Sequence, residues 1–276
     1  MNGRAIRTSQ LLNPATGKAV IIAFDHGGTG VPKGGADVAG ILAAIGRSRA
    51  EAVLIGCGNA RSYAASFARP GAPRLVVSID GPVFSSVCGE HGKLVEQSRH
   101  ASAEYAMRLG ATAAKILLPV GTDDVAIFRR GVELVREAVM ECEQVGLPLM
   151  VEPALWGPRA NEKDNQLIEH AARMSVELGA DILKIPAPTD AAVLARIVRN
   201  SPVPVMVLGG APRDAESFTR DMQDWMTTGV AGVVIGRNVW SRPHPDKAVE
   251  ALAAAVHDND PTAVARHWQD AGAPAA

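Results

Sequence analysis

The sequence predicts a single (β/α)8 barrel, an α/β fold, and three observations carry that expectation. Eight apolar runs of strand length recur along the chain. Stretches of helical periodicity separate most of them, so strand and helix alternate as parallel βαβ units require. The 276 residues suit one such barrel, which takes about 250.

The runs read AVIIAFDHG (19–27), AVLIGC (52–57), RLVVSID (74–80), AAKILLPVG (113–121), PLMVEPAL (148–155), DILKIPAP (181–188), VPVMVLGG (203–210) and AGVVIGRNV (231–239). They are continuous rather than alternating, which fits parallel strands buried on both faces. The clearest helical pattern spans 94–109 and stops at Gly110. Two others span 125–145, before Gly146, and 168–178, before Gly179. An open, doubly wound sheet is the competing architecture, but no Gly-x-Gly-x-x-Gly follows the first strand. Residues 1–18 are expected as a lead-in that can place a helix over the barrel floor. Residues 19–258 form the barrel, and 259–276 form an Ala/Pro-rich tail that either frays or packs.

Composition narrows the function. Hydrophobic residues make up 47% of the chain and aromatics only 4%, so Ala, Val, Leu and Ile must fill the core. The formal charge is −1, from 28 basic and 29 acidic residues. No basic field invites nucleic acid or an anionic membrane surface. No uncharged apolar run approaches the roughly 18 residues of a membrane span, and no signal-peptide core follows Arg4 and Arg7. A cytoplasmic enzyme, assembled as a homo-oligomer, is the expectation. Cys57, Cys88 and Cys142 are scattered without Cys-x-x-Cys spacing, and argue neither for disulfides nor for zinc.

Reactive groups of these barrels sit at the C-terminal ends of strands and in the loops beyond. Of seven lysines, only Lys115 and Lys184 lie inside apolar strand runs. A buried ammonium is costly without a reason to be there. Desolvation and a second nearby cation lower a lysine pKa, and a lysine so tuned attacks a ketone or aldehyde. Structural ion pairing is the alternative for both. Glu152 interrupts the apolar fifth run between the two lysines, where it can hold one of them charged and shuttle protons, or serve only as a structural counter-ion. Asp25 closes the first run and either orients the nucleophile or caps a loop. His26 beside it reads as a supporting or substrate-binding residue. Gly209 and Gly210 end the seventh run. Gly236 and Arg237 end the eighth, where such barrels commonly hold phosphate. As a simpler reading, these glycines only make tight turns. Asp25, His26 and Glu152 lack the spacing of a metal motif, so neither metal nor cofactor is expected.

Several of these segments resemble the class I, Schiff-base aldolase superfamily. Its members include archaeal-type fructose-bisphosphate, deoxyribose-phosphate and tagatose-bisphosphate aldolases and the autoinducer-2-phosphate-processing thiolase. The resemblance runs from about residue 11 to 239. It rests on Leu-Leu-Asn-Pro-Ala-Thr-Gly-Lys (11–18), Ile-Ile-Ala-Phe-Asp-His-Gly (21–27), Ala-Asp-Ile-Leu-Lys-Ile (180–185), Leu-Gly-Gly (208–210) and Ile-Gly-Arg-Asn-Val (235–239). It implies that Lys184 forms the Schiff base and that Gly209, Gly210, Gly236 and Arg237 bind phosphate. The archaeal-type enzymes carry an acid/base Tyr before Pro-Arg after the fifth strand. Here Gly157 precedes Pro158-Arg159. The Lys115 and Glu152 segments resemble the tagatose-bisphosphate branch instead, where such residues serve the Schiff-base lysine. The expected function is cleavage or formation of a C–C bond in a phosphorylated ketose. Acyl transfer, as in the thiolase relative, and a non-catalytic sugar-phosphate-binding barrel are the alternatives.

Overall fold

The computed structural model describes residues 2–85, 93–157 and 164–275. In chain order its strands are β1 (Ala19–Phe24), β2 (Ala52–Gly56), β3 (Arg74–Ser78), β4 (Asp80–Phe84), β5 (Leu94–Arg99), β6 (Ala113–Val120), β7 (Leu149–Leu155), β8 (Ile182–Pro186), β9 (Val205–Leu208) and β10 (Gly232–Ile235). The helices are α1 (Asn2–Gln10), α2 (Val38–Ile45), α3 (Cys57–Ser62), α4 (Ala103–Arg108), α5 (Val125–Val145), α6 (Asn165–Leu178), α7 (Ala191–Asn200), α8 (Ala215–Thr227), α9 (Arg237–Trp240), α10 (Pro245–Ala253) and α11 (Pro261–Asp270). The barrel closes in the order β1-β10-β9-β8-β7-β6-β3-β2, and its pairs are parallel. The expected (β/α)8 barrel is therefore the architecture. Cys88, Pro158, Arg159 and Lys163 lie outside the described residues.

Strand alternation divides the core in two. Val20, Ile22, Val53, Ile55, Val77, Ile116, Val151, Leu183 and Val233 point outward and pack with the helices. Ala19, Ile21, Ala52, Leu54, Val76, Ala113, Met150, Ile182, Met206 and Val234 point inward as a second apolar cluster. Leu11, which follows α1 and is fully buried, belongs to that inner cluster. The lead-in thus places an apolar plug under the barrel. Helix starts are written locally: Asp124, Asp164, Asp190 and Asp214 accept backbone N–H groups at the starts of α5, α6, α7 and α8. Helix α5 spans the expected residues 125–145, and α6 starts a turn earlier than the 168–178 pattern.

The expected helix over 94–109 is not one. Residues Leu94–Arg99 form β5, antiparallel to β4, and the helix begins only at Ala103. Two contacts decide against the longer helix. The Gln97 amide is buried and donates to Asp80 Oδ2 at 2.6 Å and to the Leu117 carbonyl at 2.7 Å. Ser102 then caps the true helix start, accepting from the Tyr105 N–H at 3.1 Å.

At the C-terminus, the Trp268 ring of α11 stacks on Phe218 of α8, with centroids 4.1 Å apart. The Arg242 guanidinium lies 4.2 Å from the Trp268 ring centre. Among the described residues, no helix is long and apolar enough to cross a membrane. Trp268 is 1% exposed, so Trp268→Ala should destabilise the fold by about 3–5 kcal/mol. Denaturant titration should report this as a lower midpoint with an unchanged slope.

Candidate active site

Alternation along the strands sets the site. On β6, Ala113 faces the barrel axis, so Lys115 does too. On β7, Met150 brings Glu152 inward, and on β8, Ile182 brings Lys184. On β1, the inward series Ala19, Ile21, Ala23 continues to Asp25 just beyond the strand. The lower barrel is apolar, and the first charged layer lies directly above it.

Those four side chains meet. Lys115 Nζ is 2.9 Å from Glu152 Oε2 and 3.1 Å from Asp25 Oδ2. Lys184 Nζ is 2.9 Å from the same Glu152 Oε2. The lysines are buried and the carboxylates nearly so. Two cations balance two anions, which is how a low-dielectric interior tolerates them.

Burial would raise the Asp25 carboxyl, but Lys115, then Lys184 and His26, hold it well below the usual carboxylate range. The same contest lowers Glu152: burial opposes, and the two lysines prevail. Burial would depress Lys115, yet Asp25, Glu152 and Asp80 hold it well above its ordinary value. Lys115 is therefore the lysine that the carboxylates hold charged. Its two bonded carboxylates outweigh both desolvation and the second lysine. Lys115 is a fixed ammonium.

The remaining sequence candidates ring the mouth. His26 follows Asp25, with Nδ1 3.8 Å from Asp25 Oδ1 and its ring edge-on to Trp240, centroids 5.4 Å apart. Burial, then the positive charges of Lys184 and Arg237, lower its pKa against the pull of Asp25 and Glu152. Imidazole is the neutral form at neutral pH. Gly236 lies where a Cβ would come within 2.6 Å of the Ala23 carbonyl oxygen and 3.1 Å of His26 Cε1. Only a residue without a side chain lets the β10 loop close on the end of β1. Arg237 opens α9 from that point. Gly209 and Gly210 end β9 in the neighbouring loop.

Two residues that sequence reasoning missed join these loops. Asn238 is fully buried and donates to the carbonyls of Gly209, at 3.0 Å, and Ala211, at 2.9 Å. It accepts from the Arg213 N–H at 2.9 Å. Trp240 Nε1 donates to the Ala23 carbonyl at 2.8 Å. Asn238 entered the sequence reading only as part of the Ile-Gly-Arg-Asn-Val motif (235–239), with no role of its own.

The glycine that replaces the expected tyrosine has a structural cause. Gly157 adopts φ 113°, and a Cβ there would lie 2.7 Å from both the Gly121 carbonyl oxygen and Thr122 Cα. The loop after β7 has closed against the loop after β6, leaving no room for a side chain. Gly157→Ala should therefore destabilise by at least about 1–3 kcal/mol. Gly157→Tyr should fold worse still, as thermal unfolding would show.

With this geometry in place, comparison with known proteins is informative. A family model described as DeoC/LacD family aldolase matches residues 19–242. The chain is 29% identical over 260 residues to 2-amino-3,7-dideoxy-D-threo-hept-6-ulosonate synthase 1 of Archaeoglobus fulgidus, covering 94% of this chain and 93% of that one. It is 27% identical over 261 residues to 3-hydroxy-5-phosphonooxypentane-2,4-dione thiolase of Escherichia coli, covering 94% and 84%. A solved Schiff-base-forming fructose-1,6-bisphosphate aldolase superposes with TM-score 0.77 and 26% identity, over 91% of this chain and all of the other.

Proposed function

This chain belongs to the DeoC/LacD family of aldolases, and from that premise we propose that it is a class I aldolase acting on a phosphorylated ketose through a Schiff base on Lys184. One observation carries the proposal: two buried lysines share a single oxygen of Glu152. Lys115 is further tied to Asp25 and held charged. Lys184 has Glu152 as its carboxylate partner within 4.0 Å among the described residues. That inequality supports a division of roles. Lys115 anchors the charge balance, and Lys184 is left to attack the carbonyl, its surplus proton departing with the water lost in imine formation.

The steps follow from the contacts. The Lys184 amine adds to the substrate carbonyl, and loss of water leaves an iminium. Glu152, with Lys115 beside it, accepts the proton of the hydroxyl carried by the far carbon of the bond to be cut. That C–C bond breaks, its electron pair moves into the iminium to give an enamine, and an aldehyde leaves. Protonation of the enamine and addition of water return Lys184 and release the ketone. Asp25 orients hydroxyls near the nucleophile. Gly209, Gly210, Gly236, Arg237 and His26 hold the phosphate end, so that binding energy far from the reacting bond positions it. The solved relative's description as Schiff-base-forming supports this course, and the phosphorylated substrates named for the relatives support the substrate class.

Borohydride reduction in the presence of a panel of ketose phosphates, followed by peptide mapping, should place the adduct on Lys184. A trapped adduct elsewhere, or none with any ketose phosphate, would sink the proposal. Lys184→Ala should fold but not turn over, and Lys184→Arg should be equally inactive because a guanidinium stays protonated. Added coenzyme A should leave turnover unchanged, which separates C–C cleavage from acyl transfer.

The proposed electron sink is organic, so chelation with EDTA should leave activity intact. Restoration of lost activity by a divalent ion would reassign the chemistry.

Glu152→Gln keeps the shape but removes the base. It should slow turnover by roughly 10²–10⁴-fold while borohydride still traps an adduct. Turnover near wild type would make Glu152 a counter-ion only.

A further inference from the structure

The ladder between β3 and β6 ends early. Its last pair is Ser78↔Lys115, followed by the Ile79 N–H donating to the Lys115 carbonyl at 3.0 Å. Beyond that point the chain turns out of the barrel into β4, and Leu117 on β6 loses the strand that would have bonded its backbone. Two side chains take that strand's place. Both carboxylate oxygens of Asp80 accept the Leu117 N–H, at 3.2 and 3.1 Å. The Gln97 amide donates to the Leu117 carbonyl at 2.7 Å and to Asp80 Oδ2 at 2.6 Å. Asp80 is 4% and Gln97 2% exposed.

On its other edge Leu117 is in register with Glu152. We infer that Asp80, braced by Gln97, is a positioning residue for the reaction. It fixes the segment of β6 on which the shared Glu152 carboxylate is registered, and it sets a negative charge behind Lys115. This inference rests on the Schiff-base reading above.

The charge has its own consequence. Burial pushes the Asp80 carboxyl up to about 6, against the lowering effects of Lys115 and the bonds from Gln97 and Leu117 and with a further push from Glu152. Arg99, its cross-strand neighbour on β5, sends its guanidinium to Glu141 and the Ala101 carbonyl. His26 lies in the turn after β1, which packs against β4, and His100 follows β5 against Gly81. Below about pH 6 Asp80 takes a proton, the charge behind Lys115 disappears, and proton transfer at Glu152 should slow.

The test uses dihydroxyacetone phosphate, a phosphorylated ketone that can form the imine without a second substrate. Borohydride trapping reads imine formation, and exchange of its α-proton in deuterated water reads proton transfer. In Asp80→Asn, the amide nitrogen must take one of the two oxygen positions, so it faces either the Gln97 amide or the Leu117 N–H, donor against donor. Trapping should remain complete, while exchange slows roughly 10–100-fold, the scale on which misplaced reacting groups lose rate. The acid limb near pH 6 should vanish. In Gln97→Ala, Asp80 loses a bond to its charged form, so the same limb should move to higher pH. His26 and His100 are present throughout, so differences between the profiles report Asp80. Wild-type exchange in folded Asp80→Asn, or slowed exchange with the acid limb unmoved in both variants, would overturn the inference. If Asp80→Asn does not fold, the limb in Gln97→Ala decides alone. A wild-type chain that traps no adduct would remove the Schiff-base reading itself, and this inference with it.

Discussion

Glu152 Oε2 stands 2.9 Å from both Lys115 Nζ and Lys184 Nζ, and much of the upper barrel is arranged around that shared oxygen. Neither ammonium could be buried alone. Desolvating a charge costs several kcal/mol even after relaxation, and removing one partner of a buried pair typically costs about 3–5 kcal/mol. The four charges therefore persist only as a set. Assembling the set requires a closed barrel: Lys115, Glu152 and Lys184 come from adjacent strands, but Asp25 reaches Lys115 from β1, which is not a neighbour of β6. An open sheet would not bring that carboxylate across.

The set is lopsided, and the asymmetry matters more than the balance. Lys115 takes two carboxylates and is held charged. Its position behind Glu152 keeps that carboxyl ionised and ready to accept a proton, despite burial that would otherwise favour the acid. Two lysines in one site are thus not two candidates for one task. In the proposed mechanism one is a permanent counter-ion that tunes the base, and the other carries the chemistry.

Much of the fold was legible because it rests on local, periodic signals. Continuous apolar runs marked the barrel strands, and Gly146 and Gly179 marked helix ends. The inward lysines and Glu152 were legible as charge inside apolar runs. What failed was the excursion at 94–109, where Leu94, Ala101 and Tyr105 sit at helix-like spacing. The segment's fate depends on Asp80 and Leu117, 17 and 20 residues from Gln97, and no local period records a partner that distant. Asn238 was hidden in a similar way. Its side chain ties the start of α9 to Gly209, Ala211 and Arg213 in the loop after β9, partners 25 to 29 residues away in sequence.

Closure also bears on how the rim and the charged layer communicate. Trp240 Nε1 binds the Ala23 carbonyl, the Gly236 backbone lies against the same carbonyl, and His26 packs edge-on to Trp240. The β10 loop is therefore docked on the residues immediately before Asp25. Asn238 extends the unit to the end of β9. A group held by Arg237 and the glycine loops would sit on a body continuous with Asp25, through it with Lys115, and so with Glu152. Binding energy gained at the rim then acts on a rigid frame rather than on a mobile loop. This is the condition under which it can orient a carbonyl toward Lys184 instead of merely tightening affinity.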